Sequence, residues 1–585
     1  MSRRTTLQAI RDKPDVSVLI IGGGVNGIGA FRDLALQSVD ALLVERGDFG
    51  SGTSAASSHM LHGGLRYLEN GEFRLVNEAL HERDRLLVNA PHYAKPLRTT
   101  IPIFRWLSGM LNAPLKFAGL LDRPGERGAL VIKLGLTLYD VFIRRGRVMP
   151  AHAFRLRGAA LREVPALNPA IVCAATYYDA WMSYPERICL EMVLDAEASN
   201  ANCRALNYVS AVDSEGDTVA LRDEMSGETF SVKPRVVVNA AGPWIDFVNA
   251  DLAPRHKRFI GGTKGSHLIL DHPALLEATG GSEFYFENKD GRLVLILPFF
   301  DRVMIGTTDT RIDNPDEAVT SDAEVDYLLA MVSRVFPTVK LERSNIVFTF
   351  SGVRPLPYSE GDRTGQISRD HSIQTIAPEA ERLFPIHSLI GGKWTTFRAF
   401  AEQISDLVLS DLGLSRRVST ANLPIGGGRD YPRGDVAREK WLRELESDCG
   451  LPLERLRQLF ECYGTRAAPV ARYIGCGNDR PLAHHPQYSR REVEFILREE
   501  KVERLDDLLL RRSLMAMLGS STRELLRELA EISAATLGWS DARMTREIAR
   551  AEENLRRRHR VDLSSPGLAQ ADSGSARSHH EHAAV

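Results

Sequence analysis

Apolar positions near the start of the chain follow the pattern of a β-α-β unit. Residues 16–21 form a short, mostly apolar run that ends in glycines, which predicts a buried parallel strand. Residues 27–36 predict a helix, and residues 41–45 predict the next strand. The unit occupies about 30 residues, which is typical of a dinucleotide-binding unit.

Further along, the pattern changes from mixed to helical. Short β-rich runs recur between residues 206 and 350 and predict an antiparallel substrate domain. After residue 428 the sequence is charged, and residues 490–500 and 522–537 have the helical period.

These patterns predict an α/β fold with an additional helical domain. We expect a Rossmann-type domain with an interleaved antiparallel-sheet substrate domain over residues 16–428, followed by an all-α domain over residues 429–560. Residues 1–15 are predicted to be a disordered arm, and residues 561–585 a disordered tail.

Composition narrows the classes of function. The chain has 585 residues, of which 43% are hydrophobic and 26% charged, and a net charge of −2 gives no electrostatic reason to bind nucleic acid. Its six cysteines show no metal-ligand spacing, so we predict no metal site and a reducing compartment. The chain contains no run of about 18 apolar residues, so we predict no transmembrane helix.

The first β-α-β unit carries the fingerprint G-x-G-x-x-G. Gly22 permits a tight turn, Gly24 lets the backbone approach a pyrophosphate, and Gly27 lets helix and strand pack closely. The helix N-terminus then offers free N–H groups to the phosphates. Glu45 ends the second predicted strand, where a carboxylate accepts ribose hydroxyls and disfavours the 2′-phosphate of NADP.

FAD and NAD share this fingerprint, and two later turns favour FAD. Residues 235–244 read as a strand followed by a turn of small residues, which is how two-domain flavoproteins bring a later strand under the cofactor. Residues 389–396 form a glycine turn that leads into a helix at 397–409, whose N-terminus would stabilise negative charge on a reduced flavin. We therefore expect a non-covalently bound FAD.

Several ordered motifs make the sequence resemble the FAD-dependent, respiratory, quinone-linked sn-glycerol-3-phosphate dehydrogenases. The resemblance extends from Val18 to about Arg560. The motifs that carry it are Ile-Gly-Gly-Gly-Val-Asn-Gly (21–27), Ser-Ser-His-Met-Leu-His-Gly-Gly-Leu-Arg-Tyr-Leu (57–68), Phe-Arg-Leu-Val-Asn-Glu-Ala-Leu (73–80), Asn-Ala-Ala-Gly-Pro-Trp (239–244), Lys-Gly-Ser-His (264–267), Ile-Gly-Thr-Thr-Asp (305–309), Ser-Gly-Val-Arg-Pro-Leu (351–356) and Gly-Gly-Lys-Trp-Thr-Thr (391–396).

The resemblance implies a two-domain flavoprotein oxidase fold and oxidation of glycerol 3-phosphate to dihydroxyacetone phosphate. Hydride would pass from C2 to flavin N5, and the electrons would pass to a membrane quinone. The residues it implies for FAD binding lie in the matched motifs and the loop after residue 45: Gly22, Gly24, Asn26, Gly27, Glu45, Arg46, Thr53, Ser54, Ser57, Ser58, His62, Gly63, Ala241, Gly242, Trp244, Gly392, Lys393 and Thr395.

An anionic substrate needs cationic side chains, and an oxidised alcohol needs a base. Arg66, Arg354 and Lys393 lie close to glycines in matched motifs and are the expected phosphate ligands, with Tyr67 as a further donor. His62 and His267 are the two candidates for the base that takes the hydroxyl proton, and Arg354 completes the predicted catalytic set. His62 is slightly favoured because it precedes the Gly-Gly-Leu-Arg run.

Two departures from the family pattern keep the substrate open. His59 stands where the family usually has lysine, and Ser183-Tyr184-Pro185 stands in the segment where the family tends to carry an acidic pair before an arginine. The alternative is an FAD-dependent oxidase or dehydrogenase of another anionic alcohol or amine. A flavin-bearing nucleic-acid protein and a non-catalytic relative are the more distant hypotheses.

A quinone acceptor requires contact with the bilayer. Residues 101–121 and 130–147 mix large apolar side chains with arginine or lysine, a composition that suits an interfacial segment or a buried helix. With the resemblance, this predicts peripheral attachment to the cytoplasmic face of the inner membrane in an otherwise cytoplasmic protein. A homodimer is compatible with the helical C-terminal part.

Overall fold

The computed structural model describes residues 3–65, 72–108, 127–142, 148–254, 257–288, 293–359 and 370–563. Its first layer is a mostly parallel sheet. In spatial order its strands are β17 (Ser372–Ile376), β18 (Ile386–Ile390), β10 (Thr229–Asn239), β1 (Asp15–Ile21), β2 (Ala41–Glu45) and β7 (Arg204–Asn207), with the hairpin of β8 (Val209–Glu215) and β9 (Thr218–Asp223) attached to β10.

The central strand β1 explains why this sheet forms. Residues 18–21 are buried and apolar, and β1 pairs in parallel with β2 on one side and β10 on the other. A strand covered on both faces needs such a continuous apolar run. Helices α2 (Val25–Leu36), α6 (Pro185–Ser199) and α10 (Phe397–Asp411) pack together over the sheet, and a Cβ on Gly29 would lie 3.1 Å from the Phe397 ring.

The second layer is a mostly antiparallel sheet. Its order is β15 (Thr310–Arg311), β11 (Thr263–Leu270), β14 (Arg302–Gly306), β13 (Leu293–Phe299), β12 (Glu283–Glu287), β4 (Ala94–Ile103), β6 (Cys173–Met182) and β3 (Met60–Leu61), with β16 (Ile346–Arg354) on β11 and β5 (Ala153–Leu156) on β6. Helices that accompany the two sheets are α3 (Phe73–Asn89), α4 (Ala129–Phe142), α5 (Arg157–Glu163), α7 (Ile245–Leu252), α8 (Pro273–Thr279) and α9 (Asp322–Val335).

The C-terminal part is helical. It contains α11 (Asp435–Cys449), α12 (Leu453–Tyr463), α13 (Ala467–Gly475), α14 (Arg490–Glu499), α15 (Arg523–Leu537) and α16 (Asp541–His559), with a π-helical turn at Leu508–Arg512. Its buried side chains continue the core of the first layer. The predicted fold class is confirmed, and the predicted boundary at residue 428 stays a prediction.

The N-terminal prediction was wrong. Residues described from Arg3 onward form helix α1 (Arg3–Asp12) rather than a disordered arm, and β1 begins at Asp15. Leu7 and Ile10 are buried against the sheet, and Arg3 pairs with Asp223 at 2.6 Å. The sequence favours disorder there because its few apolar residues are spread among charged ones. Leu7 and Ile10 nevertheless have the three-residue spacing of one face of a helix.

The C-terminal tail and the membrane prediction are tested only in part. Residues 564–585 lie outside the described residues, as do residues 109–121 of the first interfacial candidate and residues 143–147 of the second. Within the described ranges, no helix has both the length and the apolar character needed to cross a bilayer.

Candidate active site

Four adjacent parallel strands end at one edge of the first sheet. Beside β1, the strands β2, β10 and β18 run in the same direction, so the three turns singled out from the sequence meet there. In open α/β sheets, ligands bind at this carboxyl edge of the strands.

The turn after β1 is an open cradle. Gly22 has φ +112°, and a Cβ there would lie 2.5 Å from the Ala240 carbonyl oxygen, so only glycine fits. By contrast, a Cβ on Gly24 would meet only Ser54 Oγ, at 3.4 Å. Gly24 is the N-cap residue of α2 and has no side chain to cap it, so the first turn of α2 has backbone N–H groups without an intrahelical partner, of which Val25 N is bonded to Ser54 Oγ. The cradle therefore fits a pyrophosphate.

Glu45 and Arg46 stand beside the cradle at the end of β2. The Glu45 carboxylate accepts hydrogen bonds from Gly23 N and Gly47 N, both at 2.7 Å, and burial raises the pKa of Glu45. Arg46 pairs with Asp316 at 2.5 Å, and its guanidinium lies 4.7 Å from the Trp244 ring centroid. The structure thus brings three of the predicted cofactor residues together.

The loop after β2 crosses from the first sheet to the second. Ser54 Oγ accepts a hydrogen bond from Val25 N at 2.9 Å, while Thr53 Oγ1 donates to Val353 O at 2.6 Å. Further along, Ser57 Oγ accepts from His59 N at 3.2 Å. The loop is therefore held at the cradle and at β16, with its serines between the sheets.

The turn after β18 closes the other side. A Cβ on Gly392 would lie 2.8 Å from Asn26 Nδ2, so Gly392 lets this turn approach the start of α2, where Asn26 Oδ1 is buried without a hydrogen-bond partner. Thr395 Oγ1 accepts from His62 N at 3.2 Å and lies 3.3 Å from His62 O. Lys393 begins the helical turn at 394–396, and its charge acts on the nearby carboxyl of Glu78.

Of the remaining cofactor candidates, Ala241 and Gly242 lie in the turn after β10, and Gly63 follows β3 of the second sheet. Ala241 N donates to Asn239 Oδ1 at 3.2 Å, and Gly242 has φ +57° with nothing near its Cβ position. Gly63 N contacts Tyr139 Oη at 3.0 Å and Asp179 Oδ1 at 3.3 Å. Arg66 and Tyr67 lie outside the described residues.

The second sheet presents Arg354 and His267 on one face. Side chains alternate along β11, so Thr263, Gly265 and His267 share a face, and Arg354 pairs directly with Thr263. Arg354 donates to Asp309 Oδ1 at 3.2 Å and to Thr307 Oγ1 at 3.0 Å.

His267 is a buried, neutral histidine. Its Nε2 lies 2.7 Å from Ser58 Oγ, and its ring stacks on Phe350 with centroids 4.7 Å apart. Burial lowers the pKa of His267 to about 3, and the Arg354 charge adds to the shift. Gly306 makes room for the ring, because a Cβ there would lie 2.1 Å from His267 Cδ2.

His59, the residue that departs from the family pattern, is also buried and neutral. Its Nδ1 hydrogen-bonds to Met182 O at 3.0 Å, and its ring meets Phe299 edge-on at 5.1 Å. Burial lowers the pKa of His59 to about 4. Nε2 is left without a hydrogen-bond partner.

Sequence reasoning missed two groups near these residues. Asp309 and Thr307, noted only as part of a motif, bind Arg354. Asp179 was not noted at all, yet its buried carboxylate pairs with Arg83 at 2.9 Å and fixes the Gly63 turn. The sequence could have indicated this pair, because an arginine and an aspartate each lie within an otherwise buried segment and buried charges need a partner.

Comparisons with known proteins agree with this geometry. Residues 17–407 match the family model described as "FAD dependent oxidoreductase", and residues 418–544 match "C-terminal domain of alpha-glycerophosphate oxidase". With the open cradle at the carboxyl edge of the sheet, these matches define the chain as an FAD-dependent oxidoreductase.

Two relatives show to which family of FAD-dependent oxidoreductases the chain belongs. A glycerol-3-phosphate dehydrogenase of Synechocystis is 34% identical over 564 residues, covering 92% of this chain and 96% of its own. One of Pseudomonas aeruginosa is 32% identical over 514 residues, with coverages of 87% and 93%. The chain belongs to the family of FAD-dependent glycerol-3-phosphate dehydrogenases.

A solved structure supports the fold. The glycerol-3-phosphate dehydrogenase from Bacillus halodurans, determined with FAD, superposes with a TM-score of 0.71 at 23% identity, covering 96% of this chain and 99% of its own. FAD is the cofactor of this chain, and the predicted family and cofactor are confirmed.

Proposed function

We propose that the protein oxidises sn-glycerol 3-phosphate to dihydroxyacetone phosphate and passes the electrons to a membrane quinone. The observation that carries the proposal is the shared face of Arg354 and His267, next to the loop that reaches the FAD cradle. A guanidinium for the phosphate and an imidazole for the hydroxyl proton are the two groups this oxidation requires.

FAD is held by backbone and carboxylate groups of the first sheet. Gly22, Gly24 and the start of α2 take the pyrophosphate, and Glu45 takes the adenosine ribose. Arg46 and Trp244 flank the cradle. Asn26 and Gly27 belong to the start of α2, and the other candidates would contact the rest of the cofactor: Thr53, Ser54, Ser57, Ser58, His62, Gly63, Ala241, Gly242, Gly392, Lys393 and Thr395. When bound, FAD accepts the C2 hydride at N5.

Arg354 binds the substrate phosphate, with Lys393, Arg66 and Tyr67 as further ligands. Asp309 and Thr307 hold the guanidinium from behind, so its orientation is fixed before the substrate arrives. The antiparallel register supports this role, because it puts the charge on the same face as His267.

His267 is favoured over His62 as the base that takes the C2 hydroxyl proton. Burial and the Arg354 charge lower the pKa of His267 to about 3, so the imidazole is neutral before substrate binds and one ring nitrogen can accept a hydrogen bond from the C2 hydroxyl. Ser58 fixes the ring toward the flavin loop. His62 contacts Thr395 Oγ1 through its backbone N and O, which suits a residue that packs against the cofactor.

An apolar stripe supports peripheral attachment to the membrane that carries the quinone. Leu130, Leu134, Leu138 and Val141 are exposed along α4, whereas Ile132 and Leu136 on the other face are buried. Trp106 and Leu107, about half and two-thirds exposed, lie beside the start of α4, where Ala129 N donates to Arg105 O at 3.0 Å and Gly128 N donates to Ser108 O at 2.7 Å. An amphipathic helix with such a face binds at the level of the lipid headgroups.

An anaerobic titration of the yellow holoenzyme tests the activity. We expect sn-glycerol 3-phosphate to bleach the flavin, and glycerol and glycerol 2-phosphate to leave it oxidised. Arg354→Ala should lower the apparent affinity at least about 100-fold, since a charge-assisted phosphate contact is lost. Arg343→Ala, which removes an exposed arginine on the same domain, is the matched control. Bleaching by another anionic alcohol or an amine instead would favour the alternative substrate class.

The acceptor is tested in a second assay. With a quinone in vesicles and with oxygen as the competing acceptor, we expect quinone reduction without stoichiometric peroxide. Peroxide release at the rate of substrate oxidation would identify an oxidase.

A further inference from the structure

Asp48 lies in the loop directly after Glu45 and is almost fully buried. Its neighbours in this loop are tied to the FAD cradle: Gly47 N donates to Glu45 Oε1 at 2.7 Å, and Gly50 N donates to Gly23 O at 2.7 Å. The position of the Glu45 carboxylate therefore depends on the path of this loop.

The two charged partners of Asp48 come from the C-terminal helical part, more than 460 residues away. Arg512 binds its carboxylate with two N–H groups, at 2.7 and 3.0 Å, and Arg511 Nε donates at 2.5 Å. Asn207 Nδ2 adds a fourth contact at 2.9 Å. Arg511 is also bound to Asp507 at 2.7 Å, so two carboxylates and two guanidiniums form one charge-balanced cluster.

This cluster lies at the interface between the loop after β2 and the C-terminal helical part, and its side chains are buried on both sides. The side chains of Asp48 and Asp507 are 0% exposed, and those of Arg511 and Arg512 are 10% and 1% exposed. Burial alone would raise the pKa of Asp48, but the two guanidiniums more than offset this, and the pKa lies below its usual range. Buried ion pairs contribute little net stability compared with apolar packing and are best attested where they fix a position.

We propose that Arg511 and Arg512 are positioning residues for FAD: through Asp48 they hold the loop after β2 so that Glu45 meets the adenosine ribose. The C-terminal helical part thereby sets the affinity for the cofactor without touching the flavin ring. This inference rests on the proposed placement of the ribose at Glu45, and Glu45→Gln tests that placement separately.

The test compares two charge-balanced double variants of the full chain. Asp48→Asn with Arg512→Gln removes the two-contact ion pair between the loop and Arg512. Arg511 keeps its pair with Asp507 and faces a neutral amide at position 48. The matched control, Arg187→Gln with Glu500→Gln, removes a buried two-contact ion pair across the same interface, at 2.7 and 3.0 Å. This pair also contacts Arg512, through Arg187 Nη1 to Arg512 O at 3.1 Å and Arg512 Nε to Glu500 O at 2.9 Å, so the control weakens the surroundings of Arg512 but keeps its side-chain contact to Asp48. Both double variants should lose thermal stability.

Binding of FAD and of ADP to FAD-free protein gives the readout. We expect the Asp48 double variant to raise the dissociation constants of both ligands about tenfold or more, because the ribose site is no longer preorganised. The control should change them less than about twofold. ADP carries the adenosine and both phosphates but no flavin ring, so an equal loss for ADP locates the defect at the adenosine end.

Hydrogen exchange adds a readout that does not require bound cofactor. Amides of residues 46–50 should exchange faster in the FAD-free Asp48 double variant than in the control. Arg512→Lys keeps the charge but loses the two-contact geometry, so it should show a smaller loss of FAD affinity than the double variant. It replaces the double variant in the binding assay if the double variant does not fold.

Three results would overturn the inference. One is an unchanged FAD affinity in both Arg512→Lys and the Asp48 double variant. Another is an equal loss in the Asp48 and Arg187 double variants, which would reflect general weakening of the interface. If Glu45→Gln leaves FAD affinity unchanged, the ribose placement itself is wrong.

Discussion

Ser58 Oγ lies 2.7 Å from His267 Nε2, although 209 positions separate the two residues in the chain. The contact joins the loop that leaves the FAD cradle to the face of the second sheet that carries Arg354. His267, which we propose takes the substrate proton, is thus oriented by Ser58 of the loop that we propose contacts the flavin.

Replacing His267 with glutamine should slow reduction of the bound flavin by about 10²–10⁴-fold, the usual contribution of a general base. Ser58→Ala should have a smaller effect, because it removes the contact that orients the His267 ring but leaves the imidazole in place. Stopped-flow absorbance of the flavin measures both rates. His559→Gln is the matched control: His559 is also buried and stacks on Phe348 of β16, at 4.3 Å. Equal rates in the His267 and control variants would exclude His267 as the base.

A methyl group at Gly265 should disturb the phosphate ligand. The added Cβ would lie 2.4 Å from an Arg354 guanidinium nitrogen and 2.6 Å from Thr307 Oγ1, so the flexible arginine must move. We expect Gly265→Ala to raise KM for glycerol 3-phosphate about tenfold or more. Gly158→Ala, whose Cβ would meet only an arginine tip at 3.7 Å, should behave as wild type. An unchanged KM in Gly265→Ala would show that the position of Arg354 does not limit binding.

Stability should fall as the pH drops below about 6.5. Burial lowers the pKa of His59 to about 4, of His267 to about 3 and of His559 to about 4, whereas the unfolded chain titrates near 6.5. Below about 6.5 the unfolded state therefore binds protons that the folded state does not, and each histidine contributes up to about 1.4 kcal/mol per pH unit.

Urea unfolding between about pH 7 and about pH 5 measures this slope. His559→Gln removes one of the three groups, so its unfolding free energy should depend less steeply on pH. Parallel pH dependences of variant and wild type would mean that the pKa of His559 is the same in the folded and the unfolded protein.

The apolar stripe of α4 should govern attachment to lipid. Leu134→Gln, at a side chain about two-thirds exposed, should weaken binding to anionic vesicles by at least about tenfold, because burying a leucine contributes about 1.5–3 kcal/mol. Activity with a soluble dye acceptor should not change. Val436→Gln replaces an exposed apolar residue on α11 and is the control in a vesicle co-sedimentation assay. Unimpaired sedimentation of Leu134→Gln would place the membrane contact elsewhere.

Local chemistry made part of the site predictable. The glycine fingerprint, the acid at Glu45 and the turns at Gly242 and Gly392 are recognisable because each answers a backbone requirement within a few residues. The N-terminal helix was missed because Leu7 and Ile10 find their apolar contacts only in the distant sheet.

The sequence by itself determined the order of the elements, the cofactor cradle and the family. Only the tertiary structure decided which distant side chains meet: Arg354 with Asp309, Ser58 with His267, and Asp48 with Arg512. Pairing register and packing set these contacts, and both depend on residues far apart in the chain, which local periodicity does not encode.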